Sequence, residues 1–202
     1  GSNISENIGL MPGARFFPDA KLNYAENLLR EPNNAIAIEE FREDGFSNTL
    51  TRKELECKAL QMAGWLKSKG IQKGDRVCAY MPNCSETIIT MLATSAIGAI
   101  FSSCSSDFGI DGVIDRFEQI APKILVAANG YLYNGKIIKR SDEIKTISKR
   151  LPSLEQILVV DYINSIKGSD HFPNFNTVFQ SDPLVNYVLC EFNDPLYIVF
   201  SS

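Results

Sequence analysis

The stretch from Asp75 to Ala128 limits the possible folds more than any other part of the chain. Short apolar runs predicted as strands stand at 75–81, 99–101 and 123–127, separated by predicted helices at 85–98 and from Ile110 to Pro122. Strands joined by helical crossovers pair in parallel, in a sheet that is covered on both faces. The sequence therefore predicts an α/β fold with a mostly parallel sheet and helices on both faces. Any ligand should lie at the carboxyl ends of its strands.

Two helices carry recognisable start signals. Thr51 and Glu54 have the spacing of a capping box, and Gly70 stands where the helix that follows them would end. Asn83 and Glu86 have the same spacing at the start of the helix predicted at 85–98. We therefore expect a local side-chain cap at each of these two helix starts.

The rest of the chain predicts shorter elements. In order, they are a helix at 22–29, a hairpin at 35–41 with its turn at 44–45, a ribbon or loop at 131–138, a helix capped by Ser141 that runs to about Leu151, a strand at 155–160 and a strand at 196–200. Residues 161–194 are rich in Asn, Asp, Ser and Pro, and they predict a long surface connection with one helical turn near Val178.

Length and composition exclude several classes of protein. Gly1-Ser2 is typical of what tag removal leaves behind, so residues 3–202 are expected to form a single α/β domain. A net charge of −4 and an isoelectric point near 5.1 argue against a nucleic-acid partner. The sequence contains neither a run of about 18 apolar residues nor a signal peptide, which argues against a membrane partner.

The five cysteines favour a reducing compartment. They stand at positions 57, 78, 84, 104 and 190, without a Cys-x-x-Cys pair. Cys57 and Cys78 fall inside a predicted helix and a predicted strand, which suits reduced thiols better than a disulfide framework or a zinc site. We therefore expect a cytoplasmic protein.

The chain ends immediately after an apolar run. Only Ser201 and Ser202 follow the strand predicted at 196–200. A buried strand needs a crossover element to cover it, and phosphate-binding loops begin at the carboxyl ends of parallel strands. We therefore expect the domain at 3–202 to be incomplete, with an exposed apolar cut surface that favours self-association.

Three stretches resemble one enzyme family in order and spacing. They are MPGARFFPDAKLNYAENLLR at 11–30, SSCSSDFGIDGVIDRFEQIAPKIL at 102–125 and GYLYNGK at 130–136. The first resembles the amino-terminal signature of acetoacetyl-CoA synthetases, members of the adenylate-forming acid–CoA ligase superfamily, and the others resemble later segments of that family. PLYIVFSS at 195–202 is similar to the beginning of the superfamily's phosphate-loop phrase and stops before its first glycine.

The resemblance implies the amino-terminal part of the large domain of an adenylate-forming enzyme. The full-length enzyme would form an acyl-adenylate from ATP and acetoacetate, releasing pyrophosphate, and CoA thiolate would then displace AMP. A Gly-rich loop would hold the ATP phosphates and Mg²⁺ would screen their charge. Ser201 and Ser202 would be the first hydroxyls of that loop. Because the other catalytic parts lie downstream, we expect no catalytic residue, no metal ligand and no activity in this stretch alone.

The same resemblance implies one ligand contact. In related acetyl-CoA synthetases the segment that matches Tyr133, Asn134, Gly135 and Lys136 touches the CoA nucleotide, with arginine in place of the lysine. Lysine keeps the charge for a phosphate but loses the bidentate contact. From Lys136 to Arg150 there are six basic residues against two acidic ones, so Lys139 and Arg140 are further candidates. Lysines near a helix C-terminus are also favoured by the helix dipole alone.

Other interpretations stay open. A nucleophile could lie in the run from Ser102 to Ser106, which includes Cys104, but the run lacks a Gly-x-Ser-x-Gly elbow and favours a capped turn that lines the ligand cleft. The chain could also be a non-catalytic binding module or partner subunit. Within the ligases, the substrate could be another short-chain acid such as acetate.

Overall fold

The chain forms the alternating elements that its sequence predicts. A computed structural model describes residues 3–166 and 171–201, so Gly1, Ser2 and Ser202 lie outside the described residues. The strands are β1 (Ser5–Glu6), β2 (Arg15–Phe16), β3 (Lys21–Leu22), β4 (Ile36–Phe41), β5 (Ser47–Thr51), β6 (Arg76–Tyr80), β7 (Ile100–Cys104), β8 (Ile124–Ala128), β9 (Gly130–Tyr133), β10 (Lys136–Lys139), β11 (Gln156–Val160) and β12 (Cys190–Glu191). The helices are α1 (Tyr24–Leu29), α2 (Arg52–Ser68), α3 (Ser85–Ala96), α4 (Ile110–Phe117) and α5 (Ser141–Arg150), with 3₁₀ turns at Glu118–Ile120 and Phe175–Gln180.

The centre of the fold is a parallel sheet of four strands in the order β11-β8-β6-β7. Helix α3 connects β6 to β7, α4 connects β7 back to β8 across β6, and α5 lies between β8 and β11. The predicted α/β class and parallel pairing are confirmed. The order of the strands, which no sequence pattern indicates, comes from the structure.

Alternate residues of each strand pack against opposite layers of helices. In β6, Val77 and Ala79 belong to the apolar cluster that α2 and α3 complete, whereas Cys78 and Tyr80 belong to the cluster completed by α4 and α5. This follows from the two-residue period of a strand, which points successive side chains to opposite faces. The prediction that helices cover both faces of the sheet is thus confirmed.

Helix α2 begins with the capping box that its sequence predicts. The Glu54 N–H donates to Thr51 Oγ1 at 3.2 Å, and the Thr51 N–H donates to Glu54 Oε2 at 2.8 Å. Gly70 follows the helix with a φ of 80°, a conformation that glycine adopts without steric cost. Both ends of α2 are therefore determined by neighbouring residues in the sequence.

The cap predicted for α3 is wrong. Cys84 is the N-cap residue and makes no side-chain cap, and the first turn is bound instead by Glu40 of β4. The Glu40 carboxylate, 7% exposed, accepts hydrogen bonds at 3.1 Å from both the N–H and the hydroxyl of Ser85. A carboxylate is favourable at the positive end of a helix dipole, and here it comes from 45 residues earlier in the chain.

The cap predicted for α5 is also wrong. Arg140, not Ser141, occupies the N-cap position, and it makes no side-chain cap. Its guanidinium instead donates to the carboxylate of Glu143 at 2.8 Å, across the first turn. Two carboxylates in that turn, Asp142 and Glu143, suit the positive end of the helix dipole.

Strand β7 is longer than predicted. The sequence places its end at Phe101 because the polar run from Ser102 to Ser106 follows, but the strand continues to Cys104. The hydroxyl of Ser102 is buried there and donates to the carbonyl of Ile198 at 2.8 Å. A polar side chain fits this edge of the sheet because a later segment supplies its partner.

The strand predicted at 196–200 is reduced to a single bridge between Phe101 and Tyr197. Two backbone bonds join this segment to β7, from the Phe101 N–H to the Leu196 carbonyl at 3.1 Å and from the Ile198 N–H to the Phe101 carbonyl at 2.9 Å. Beyond them Val199 is 86% exposed. The segment is therefore paired along its edge but poorly covered on its faces.

The two hairpins follow their turn residues. β4 and β5 pair antiparallel around Gly45, whose φ is 81°, as the sequence predicts. β9 and β10 form a ribbon whose tip is Asn134-Gly135, with φ values of 49° and 73° that are typical of a type I′ turn.

Among the described helices, none is long and apolar enough to cross a bilayer.

Residues 161–166 and 171–194 are packed more closely than the predicted surface connection, of which residues 167–170 lie outside the described residues. The predicted helical turn is confirmed by the 3₁₀ helix at Phe175–Gln180, and Val178 within it is fully buried. Further on, the Leu184 N–H donates to the Leu60 carbonyl of α2 at 2.9 Å. At Gly64 an added Cβ would lie 1.9 Å from the carbonyl oxygen of Asp182. Glycine at this position lets the segment lie directly against α2.

A pair of glycine substitutions tests this close approach. Gly64→Ala should destabilise the chain by about 1–3 kcal/mol, because the new methyl collides with a backbone atom. Gly112→Ala in α4 should stabilise by about 0.5–1 kcal/mol, since alanine favours a helix and its Cβ would meet nothing closer than 3.6 Å. Urea unfolding measures both changes. Equal midpoints for the Gly64→Ala variant and the unaltered chain would contradict the packing described here.

Candidate functional site

A cleft of about 230 Å³ opens at the carboxyl edge of the parallel sheet. Its walls are residues that follow all four strands: Pro82 and Asn83 after β6, Ser105, Ser106 and Asp107 after β7, Tyr131, Leu132 and Tyr133 after β8, and Tyr162 after β11. The chain leaves β6 towards α3 on one face, but leaves β7 and β8 towards α4 and α5 on the other. Such a divergence of connections opens a crevice where α/β proteins bind ligands.

Asn129 fixes one side of this cleft. It follows β8, is fully buried, and donates from its amide nitrogen to the carbonyls of Ile163 at 3.1 Å and Ile166 at 3.3 Å. Its amide oxygen accepts the Ile163 N–H at 3.0 Å. The side chain therefore binds the loop after β11 to the end of β8. Asn129 is not among the residues predicted from the sequence, although a polar amide directly after a buried strand is a recognisable signal.

Arg140 fixes the opposite side. Its Nε donates to the carbonyl of Ser106 at 2.9 Å, while its two terminal nitrogens donate to Glu143 and to the hydroxyl of Tyr131. The side chain is only 12% exposed. These bonds join the polar loop after β7 to the β9–β10 ribbon. Since each of its three nitrogens donates a hydrogen bond within the protein, the geometry favours a positioning role for Arg140 over the phosphate contact considered above.

The predicted CoA-binding residues lie at the tip of the β9–β10 ribbon, where Tyr133, Asn134, Gly135 and Lys136 are all exposed. In the register of the ribbon, Lys136 is opposite Tyr133, and Ile138 is opposite Tyr131. Cross-strand partners and every second residue share a face, so Lys136 is on the face of Tyr131 and Tyr133, which line the cleft. Lys139 is on the other face. The structure thus brings Lys136 and Tyr133 together and separates Lys139 from them.

The basic stretch after the ribbon is less free than its composition indicates. Three of its six cations are in ion pairs: Arg140 with Glu143 at 2.8 Å, Lys145 with Asp142 at 3.7 Å, and Arg150 with Asp111 at 2.6 Å. At the tip of the ribbon, the Gly135 N–H donates to the carboxylate of Glu43 at 3.3 Å. The net positive charge near the tip is therefore smaller than the six basic and two acidic residues of this stretch indicate.

A second cavity, of about 400 Å³, lies between β7 and the last described segment. Its walls include Ser102 to Ser105, Phe108, Arg116 and Tyr197 to Phe200. Arg116 donates to the carbonyl of Gly112 at 2.9 Å, and its guanidinium carbon lies 4.8 Å from the ring centre of Phe108. Ser105 lines both cavities. Ser201, expected at the start of a phosphate loop, is exposed next to this wall, and Ser202 lies outside the described residues.

Cys104 is poorly suited to act as a nucleophile. Burial raises the pKa of its thiol to about 11, so the thiol stays protonated at neutral pH. Burial also raises the pKa of the Cys78 thiol, well above its usual range. Together with the bond from Ser102 to Ile198, this supports a structural role for the polar run after Phe101. Within residues 3–166 and 171–201, no three His, Cys, Asp or Glu side chains cluster closely enough to hold a metal ion.

Comparison with known proteins identifies the family. Residues 25–202 match the family model described as AMP-binding enzyme. The chain belongs to the AMP-binding enzyme family. This membership confirms the resemblance that the three sequence stretches indicate.

Relatives in this AMP-binding family are similar along nearly the whole chain. Acetoacetyl-coenzyme A synthetase from Rhizobium meliloti is 43% identical over 199 residues, which are 95% of this chain and 30% of that protein. Acetoacetyl-CoA synthetase from Xenopus tropicalis is 37% identical over 213 residues, 98% of this chain and 32% of that protein. The chain thus spans about 30% of the length of the curated relatives it matches.

A solved structure is also similar. Acetoacetyl-CoA synthetase from Streptomyces lividans superposes with a TM-score of 0.89 at 33% identity, covering 95% of this chain and 30% of that one. The α/β architecture of the chain is therefore that of an AMP-binding enzyme, and the carboxyl edge of its sheet is the region to examine for ligands.

Proposed function

We propose that this chain is part of an ATP-dependent ligase that converts acetoacetate and CoA to acetoacetyl-CoA, AMP and pyrophosphate through an acyl-adenylate. One observation carries the proposal: the 43% identity with a bacterial acetoacetyl-coenzyme A synthetase over 95% of the chain. The cleft at the carboxyl ends of all four parallel strands supports it, because ligands of α/β proteins bind at that edge.

In this proposal the chain binds and positions ligands but supplies no catalytic group. Ser201 and Ser202 are the first hydroxyls of the loop that holds the ATP phosphates. Mg²⁺ screens those phosphates when it is bound, although no cluster of metal-binding side chains exists among the described residues. We also propose a cytoplasmic location, which the free state of all five cysteines supports.

The CoA nucleotide is proposed to bind at the ribbon tip. Lys136 places an ammonium group on the same face as Tyr131 and Tyr133, so a phosphate bound to it would lie at the mouth of the cleft. The tyrosines offer aromatic surface for the base, and Gly135 lets a ligand approach the backbone closely. The Glu43 carboxylate accepts the Gly135 N–H and so contacts the backbone of the ribbon tip.

The substrate is tested with the full-length protein. Acetoacetate, ATP and CoA should yield pyrophosphate and acetoacetyl-CoA, with a higher kcat/KM than acetate in the same assay. Residues 3–202 alone should unfold cooperatively on heating and refold on cooling. They should nevertheless release no pyrophosphate above a heat-killed control. A full-length protein that binds CoA but releases no pyrophosphate would indicate a non-catalytic binding module instead. A preference for acetate would contradict the proposed acid.

Lys136→Ala should raise the KM for CoA about tenfold in the full-length protein, the effect of losing one charge-assisted contact. The exchange of pyrophosphate into ATP, which needs no CoA, should stay near normal. Lys139→Ala is the matched control, because it removes the same charge from the opposite face of the same ribbon. Equal KM values for CoA in the two variants would leave Lys136 without a role in binding.

Self-association of the separate domain is a further part of the proposal. The last segment exposes 86% of Val199 and 37% of Tyr197, beside the cavity that borders β7. Residues 3–202 should therefore form concentration-dependent oligomers in sedimentation experiments, and Val199→Lys should weaken them without uncovering β7. Thr49→Lys, in strand β5 of the β4–β5 hairpin, controls for the added charge. A monomer at every accessible concentration would refute the idea.

A further inference from the structure

Arg42, which directly follows β4, has a side chain that is only 7% exposed. Its guanidinium carbon lies 4.1 Å from the ring centre of Tyr162 and 4.6 Å from that of Phe46. One terminal nitrogen donates to the carbonyl of Tyr162 at 2.6 Å, and the other donates to the carboxylate of Asp44 at 2.7 Å. A planar cation is thus packed against two aromatic rings, while both of its terminal nitrogens donate hydrogen bonds.

These contacts join the β4–β5 hairpin to the cleft. Tyr162 lies 120 residues after Arg42 in the chain and forms part of the cleft wall that follows β11. The next residue of the hairpin, Glu43, accepts the Gly135 N–H at the tip of the β9–β10 ribbon. A single short turn therefore touches two separate parts of the proposed nucleotide site, the Tyr162 wall and the ribbon tip.

We propose that Arg42 is a positioning residue for the CoA nucleotide, because it holds the Tyr162 wall and, through Glu43, the ribbon tip in their binding arrangement. The inference rests on the proposed function, since it assigns a role within the same site. Arg42 does not touch the ligand itself. Its effect is to keep a loop and a ribbon tip, which come from distant parts of the chain, at a constant separation before the ligand arrives, so that binding needs less ordering of the protein.

The chemistry of the side chain makes the inference testable. Lysine would keep the positive charge, but it has no planar group to pack against the two rings and only one nitrogen to serve both acceptors. Arg42→Lys should therefore raise the KM for CoA in the full-length protein by about threefold, and Arg42→Met by about tenfold. ATP–pyrophosphate exchange should be unchanged in both variants, because the adenylation step uses no CoA.

Two further variants make the result interpretable. Arg52→Lys, at the start of α2, makes the same substitution at an arginine that donates to the carbonyl of Arg30, away from the cleft, and it should leave the KM for CoA unchanged. Phe46→Leu removes one ring from the Arg42 contact and should raise the KM for CoA in the same direction as Arg42→Lys. It also provides the test if Arg42→Met fails to fold.

The outcomes separate the inference from the proposed function. A normal KM for CoA in Arg42→Lys and Phe46→Leu, with a raised KM in Lys136→Ala, would overturn the role of Arg42 and leave the CoA site in place. A loss of exchange activity that parallels the rise in KM would show a general structural effect and would also overturn it. If Lys136→Ala and the Arg42 variants all have a normal KM for CoA, the proposed site itself is wrong.

Discussion

The fold depends on a sheet that must be covered on both faces at once. Every residue of β8 is at most 1% exposed, which is possible only because helices pack above and below it. Burial of each large apolar side chain contributes about 1.5–3 kcal/mol, so the two helical layers stabilise the sheet jointly. Because both faces of the sheet are buried, the polar side chains that could contact a ligand lie at the strand ends, next to solvent. The cleft is a direct result of that requirement.

Buried polar side chains determine the shape of this edge. Asn129 binds the loop after β11 to β8, Arg140 binds the loop after β7 to the ribbon, and Arg42 binds the first hairpin to Tyr162. Each donates to backbone carbonyls at this edge of the sheet, and a carbonyl that is buried without a partner is costly. Because their partners lie up to 120 residues away, these three side chains define a site that no single segment contains.

The last described segment illustrates how context limits an apolar pattern. The run at 196–200 is as apolar as β8, yet it makes only two backbone bonds to β7 and leaves Val199 largely exposed. An apolar run predicts that burial is favourable, but not which surface will supply it. The polar residues of β7 show the converse. Ser102 can lie within a strand because its hydroxyl donates a hydrogen bond to the Ile198 carbonyl.

What the sequence determined by itself is local: the periods of the strands and helices, the capping box at Thr51 and the turns at Gly45 and Gly135 all depend on residues a few positions apart. The α/β class and the edge at which the cleft opens follow from those periods, because parallel strands need crossovers. The tertiary structure alone decided the order of the strands, the cap that Glu40 provides for α3, and the close packing of Asp182 against Gly64. It also decided how the cations of the basic stretch are placed, since Arg140 donates to Ser106, Glu143 and Tyr131 whereas Lys136 is exposed at the ribbon tip. Contacts between distant residues depend on how whole elements pack, and that information is absent from any short window of the chain.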